Sequence, residues 1–308
     1  MSKSLDRLTL LETFVRIADA GSISAAARDL GLSQPSVSRQ LAELESRFKT
    51  QLMQRTTHTL SLTAAGAELL ADARRLLDDW EAIEDRYINA DSEVRGRLKV
   101  IAPVALGQLH LIDIAIAFQQ QYPNVSLSWQ LEDHDIRFAE VGCDCWIKIG
   151  SVLDTSLAVT PLCEVERLAV AAPPLLKTQP SQVQDLETLP WLALEPFEGG
   201  RIPLTHADGQ TTTLLPDDRL ATNNIFALRQ ATLAGLGIAV LPRWFIQTEL
   251  QKGSLVDILP SWRAPQLTIH IAYLSTRHQP IRLQRFIEQM VSDVPIALNS
   301  VSLCIPAR

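Results

Sequence analysis

The stretch GSISAAARDLGLSQPSVSRQLAELE, from Gly21 to Glu45, holds two short helical patterns separated by Leu30-Gly31-Leu32. The first is capped by Ser22 or Ser24 and gathers Ile23, Ala26, Ala27 and Leu30 on one side. Gly31 ends it, because glycine takes the left-handed backbone of a helix C-terminus without steric cost. The second starts at Ser33 as N-cap, accepts Pro35 in its first turn, and repeats Val37, Leu41, Leu44 and Phe48 toward a core. At about 100° per residue, Pro35, Ser38, Arg39 and Ala42 lie opposite that stripe, with Gln34 beside them. A helix built only for packing would place Ala, Glu and Lys on its wet side. An amide, hydroxyls and a guanidinium there suit base edges and phosphates in a major groove, and the free amides of the helix N-terminus favour a phosphate. Two helices joined by the tight turn Gly31-Leu32-Ser33 form a helix-turn-helix over about residues 23–42.

Working outward, Leu11, Phe14, Val15 and Ala18 predict a preceding helix that stops at Gly21. Downstream, Gln51-Leu52-Met53 and Thr59-Leu60-Ser61-Leu62 flank Arg55-Thr56-Thr57-His58, a two-stranded wing with a polar, partly basic tip. The charge distribution agrees with a DNA-binding head on a body that avoids DNA. The chain carries −7 overall, but residues 1–63 carry +2, residues 64–95 carry −5 and the remainder −4.

On Phe14-Val15, Ser22, Ala26-Ala27, Leu30, Ser33-Gln34-Pro35, Val37-Ser38-Arg39-Gln40, Leu44-Glu45, Arg55 and Leu62-Thr63-x-x-Gly66, the segment resembles the winged helix-turn-helix of LysR-type transcriptional regulators. The resemblance implies DNA contacts from Ser33, Gln34, Pro35, Ser38 and Arg39, and from Arg55, Thr57 and His58 in the wing. Thr50, Met53 and His58 depart from the family's usual Gly, Phe and wing-tip Arg.

From Ala64 to about Asp91 there is no proline and no glycine after Gly66. Leu69, Leu76 and Ile83 recur every seven residues, as do Ala73, Trp80 and Tyr87, offset by four. That seam on an acidic helix needs a partner: either the chain's own body or, as the resemblance implies, a second copy. A homodimer or homotetramer then presents two recognition helices to a pseudo-palindromic double-stranded site.

After Gly96, strand-like runs at Leu98–Ala102, Val125–Leu131, Cys145–Ile149 and Gly237–Leu241 alternate with helical stretches at about 107–120, 136–141 and 224–234. The alternation predicts parallel sheets covered by helices on both faces. Ala102-Pro103, Phe118-x-x-x-Tyr122-Pro123-x-Val125, Asp144-x-x-Ile147-Lys148-x-Gly150, Ala234-Gly235-Leu236-Gly237-Ile238 and Leu241-Pro242-x-Trp244 resemble the family's effector domain. The resemblance implies an α/β, two-lobed, type 2 periplasmic-binding-protein-like fold in which the chain crosses between lobes twice. The expected organisation is a winged helix-turn-helix over 5–63, a linker and dimerisation helix over 64–94, an effector domain over 95–293, and an untethered tail over 294–308. Lobe I takes about 95–163 and 266–293, and lobe II about 164–265.

For the effector, the loop Pro103-Val104-Ala105-Leu106 leads into a helix whose amides suit a carboxylate, and its apolar side chains point to a partly apolar organic acid. Gly150-Ser151 and Asn223-Asn224 lie at ends of strands, where α/β folds bind ligands; Asn223 equally suits a helix cap.

No nucleophile elbow, P-loop, H-E-x-x-H or Cys-x-x-Cys motif is present, and six scattered histidines make no ligand set, so neither an enzyme nor a cofactor nor a metal is expected. Gly235-Leu236-Gly237 follows a helix and is a poor dinucleotide fingerprint. Cys143, Cys145, Cys163 and Cys304 read as reduced thiols, the alternative being a redox-responsive regulator that uses Cys143 and Cys145, with His134 nearby. A ligand-binding protein without a DNA role, and an architectural DNA protein, are the readings from other classes. No apolar run is long enough for a membrane span and no signal segment opens the chain, so a cytoplasmic location is expected.

Overall fold

In the computed structural model, described over residues 6–55, 60–87, 94–176, 180, 182–195, 201–215, 218–275 and 279–299, the chain forms two compact units. One comprises the chain up to Val94 with the short segments Ile136–Cys143 and Thr276–Gln284; the remainder makes the other.

In the first unit α1 (Arg7–Ala20) ends at Gly21, φ 62°. Ser22 Oγ accepts from Ala25 N at 3.0 Å and starts α2 (Ile23–Asp29); Gly31, φ 64°, turns the chain. Ser33 caps α3 (Gln34–Phe48), its Oγ accepting from Ser36 N at 3.3 Å, with Pro35 in the first turn. The wing strands β1 (Met53–Arg55) and β2 (Leu60–Leu62) pair antiparallel, Met53 opposite Leu62. Glu45 Oε1 accepts from Leu52 N at 2.8 Å and from Met53 N at 3.2 Å, tying the wing root to α3. Thr63 Oγ1 accepts from Gly66 N at 3.0 Å and opens α4 (Ala64–Tyr87).

Leu10, Phe14, Ile17, Ile23, Ala26, Val37, Leu41 and Leu44 pack as the core of this unit. Phe48, expected in that stripe, is 52% exposed, because Leu52 and Met53 of the wing root close the core there. The pattern also hides a buried polar pair: Thr13 Oγ1 donates to Gln40 Oε1 between α1 and α3. Gln40→Ala strands that hydroxyl in the core and should cost about 1–3 kcal/mol. Chemical denaturation followed through the loss of helix measures it; unaltered stability would mean the pair contributes nothing.

The second unit starts with β3 (Gly96–Ala102). α5 (Val104–Leu106) continues through a π-helical turn, Gly107–Leu111, into α6 (Ile112–Gln121). β4 (Val125–Leu131), α7 (Phe138–Val141, in the segment that clusters with the first unit) and β5 (Cys145–Ile149) follow. A long strand, β6 (Leu157–Ala171), leads to β7 (Trp191–Leu194), β8 (Ile202–His206), β9 (Thr211–Leu214) and β10 (Asp218–Thr222). Then come α8 (Ile225–Leu233), β11 (Ala239–Pro242), α9 (Arg243–Lys252), β12 (Val256–Asp257), the second long strand β13 (Trp262–Leu274) and α10 (Ile281–Asn299).

The main sheet runs β11-β6-β13-β5-β3-β4. The expected parallel pairing holds for β3 with β4, β3 with β5 and β7 with β10. It fails at the centre, where β6 and β13 run antiparallel from Ala264 opposite Arg167 to Leu274 opposite Leu157. These two strands carry the chain from the β3–β5 end of the sheet to the β11 end and back. Neither reads as a strand from the residues alone: Pro161, Glu164, Glu166 and Pro265 interrupt the apolar alternation. The expected tail is also corrected over residues 294–299, while 300–308 lie outside the described residues. α10 continues through Pro295 to Asn299, because Phe286, Met290, Val294 and Leu298 form one fully buried stripe whose burial outweighs the amide that proline removes.

Candidate functional site

On α3, Ser33, Gln34, Pro35, Arg39 and Ala42 are exposed and Ser38 is partly so, while Val37, Gln40, Leu41 and Leu44 face the core. The residues expected to read DNA therefore share one outward face at the N-terminal half of a capped helix. Arg39 makes no ion pair among the described residues. Thr57 and His58, and the side chain of Arg55, lie outside the described residues, so the wing tip is an expectation only.

The α4 seam divides. Ala73 is buried and Leu69 half-buried in the unit's own core, whereas Leu76, Trp80 and Ile83 are 49%, 44% and 38% exposed. The first turns of α4 pack directly on α1 and the wing, and farther along the stripe Leu76, Trp80 and Ile83 stay exposed. The side chain of Tyr87 is outside the described residues.

In the second unit a cavity of about 320 Å³ opens at the ends of β3, β5, β7 and β10. Of the residues expected from the sequence to meet an effector, Pro103, Ala105, Leu106, Gly150, Ser151 and Asn223 line this cavity, whereas Val104 and Asn224 do not. Asn224 is spent on its own helix, its Oδ1 accepting from Phe226 N and Ala227 N at 3.1 Å, so the cap is Asn224 and not Asn223. The Val104 amide, expected to hold a ligand carboxylate, already donates to Asp133 Oδ1 at 2.9 Å.

Sequence reasoning missed the remaining wall. Trp146, Ile147 and Trp244 add buried apolar surface, and Glu132, Asp133, His134, Asp135, Lys148 and Glu195 supply the charge. Lys148 Nζ lies 2.5 Å from Asp135 Oδ1 and 4.8 Å from the centroid of the Trp146 ring. His134 Nδ1 lies 3.3 Å from Glu132 Oε2. Burial pushes the Asp133 carboxyl above its usual range, against the pull of the Val104 amide. His110 packs edge-to-face on Trp244 at 5.1 Å, and burial lowers its pKa. In sequence these acids are four among 35 and carry no spacing signal.

Cys143, Cys145 and Cys163 are buried, and Cys304 lies outside the described residues. Among the described residues no group of three His, Cys, Asp or Glu side chains is placed to hold a metal, and no helix is long and apolar enough to cross a membrane.

Residues 8–67 match the model of the bacterial regulatory helix-turn-helix protein, lysR family, and residues 91–294 match the LysR substrate binding domain. The chain belongs to the LysR-type transcriptional regulators. As in that family, a helix-turn-helix domain precedes an effector-binding domain of mixed helices and sheets. Among its relatives, the HTH-type transcriptional regulator PtxR of Pseudomonas aeruginosa is 32% identical over 297 residues, covering 94% of this chain and 95% of PtxR. The full-length Vibrio cholerae virulence activator AphB is 24% identical with a TM-score of 0.58, over 93% of this chain and 99% of AphB. A full-length OxyR variant from Pseudomonas aeruginosa, 18% identical, superposes with a TM-score of 0.68 over 98% and 99% of the two chains. These two structures speak for the fold alone. Nothing in these likenesses or in the buried thiols favours the redox-responsive reading over an effector-binding regulator.

Proposed function

We propose that this LysR-type regulator binds a pseudo-palindromic DNA element as a homodimer or homotetramer. α3 and the wing read the site, and a small molecule in the cavity biases how the two DNA-binding heads are placed. The observation that carries the DNA reading is the outward face of Ser33, Gln34, Pro35, Ser38 and Arg39 on α3. The exposed half of the α4 stripe supports self-association. The cavity supports the two-lobed reading, because Pro103, Trp146 and Gly150 come from the proposed lobe I and Leu194, Asn223 and Trp244 from lobe II. An effector lodged between lobes couples to the heads only through different affinities for two arrangements, which is the requirement of allostery.

The partly apolar organic acid expected as effector divides on this wall. Leu106, Trp146 and Trp244 suit its apolar part, whereas its carboxylate needs a donor that Val104 has given to Asp133.

Footprinting of the DNA flanking the regulator's own gene tests the proposal, with one bounded protected region as the expected result. Gln34→Ala or Ser38→Ala should weaken that complex by about 1–3 kcal/mol and leave non-specific duplex binding unchanged. Arg39→Ala should lower the salt slope by about one. Unaltered operator affinity in all three variants would remove α3 as the reader, and uniform coating of any duplex would favour an architectural protein.

A further inference from the structure

We propose that the effector is a small organic cation with an apolar body, held with its charge among the carboxylates of the cavity rim. The proposal rests on the cavity being the effector site. Glu132, Asp133, Asp135 and Glu195 line that cavity, against the single lysine Lys148, which is already paired with Asp135 and covers Trp146. His134 adds a second positive charge only when protonated, and its partner is Glu132. A ligand anion would therefore enter a rim of three net negative charges and find the Val104 amide taken by Asp133. An ammonium or guanidinium group enters the same field attractively. The apolar body follows from Ala105, Leu106, Trp146, Ile147 and Trp244, all buried and all in the wall. The raised Asp133 pKa agrees with a site crowded by negative charge, Glu132 adding to the burial that causes it.

The test uses the full-length regulator and three probes that share one indole-ethyl body: tryptamine (cation), tryptophol (neutral) and indole-3-propionate (anion), titrated by calorimetry. Tryptamine should bind at least about tenfold tighter than indole-3-propionate, with tryptophol between them. In the double variant Glu132→Gln/Glu195→Gln, which alters two exposed side chains, the preference should shrink to within about threefold. Asn223→Trp, which places bulk at the exposed rim, should weaken all three. Equal or tighter binding of the carboxylate, binding of none of the probes, or a preference that survives the double variant overturns the cation proposal. Carboxylate binding that Asn223→Trp abolishes leaves the cavity as the effector site. Binding that ignores Asn223→Trp removes the cavity reading itself.

Discussion

Gly66→Ala should unfold the DNA-binding unit well below the temperature at which the parent unfolds. A methyl group built on Gly66 would lie 2.0 Å from the Leu52 carbonyl oxygen and 2.9 Å from its carbon. Both are backbone atoms, so no rotamer change makes room. The same carbonyl accepts from Thr63 N at 3.0 Å, and Leu52 N is itself fixed by Glu45, so the wing root is held from both sides. Relief requires moving the start of α4 off the wing, an overpacking cost of about 3 kcal/mol or more. In a unit of this size that lowers the midpoint by about 12 °C or more, measurable by the loss of helix on heating. Gly21→Ala is the control: Gly21 has φ 62° but no atom within 4 Å of a built Cβ, so only backbone strain of about 1 kcal/mol is added. A Gly66→Ala protein that melts with the parent would show that the contact yields easily.

Leu76→Glu/Trp80→Glu should convert the proposed oligomer into monomers with intact helices. Both side chains stand exposed on the C-terminal half of α4. In a symmetric pair the double change removes four buried apolar side chains, at about 1.5 kcal/mol each, or roughly 6 kcal/mol. That raises the dissociation constant by about four orders of magnitude before like-charge repulsion is counted. Sedimentation velocity should show a single monomeric species. The parent's oligomer persisting in the variant would move the interface away from this stripe. Leu70 is the contrasting position, because it is buried in the unit's own core, and its replacement should destabilise the head without freeing an interface.

The helix-turn-helix was legible almost to the residue. Ser22, Gly31 and Ser33 act through their immediate neighbours on the chain, and local hydrogen bonds and backbone preferences do not wait for tertiary context. The strands Val125–Leu131 and Cys145–Ile149 were legible as well, because each is a short apolar run bounded by breaks. β6 and β13 were not, because each gets its regularity from the other and tolerates prolines and glutamates where the partner strand and the sheet edge allow them. The Thr13–Gln40 pair escaped for the same reason: each residue is ordinary in its own helix and acquires meaning only across 27 positions of sequence.

The sequence by itself determined which face of α3 is polar, where each helix of the head starts and stops, and that the body is α/β. Those properties follow from periodicity and capping, which are written into consecutive residues. Only the tertiary structure decided how far the α4 stripe is consumed by its own core, that α10 runs on to Asn299, and what lines the cavity. The cavity wall is drawn from residues between Pro103 and Leu267. Its charge is the sum of side chains that have no neighbourhood in the sequence. Asp133 could be seen to occupy the Val104 amide only once β3 and β4 had paired and brought the two residues together.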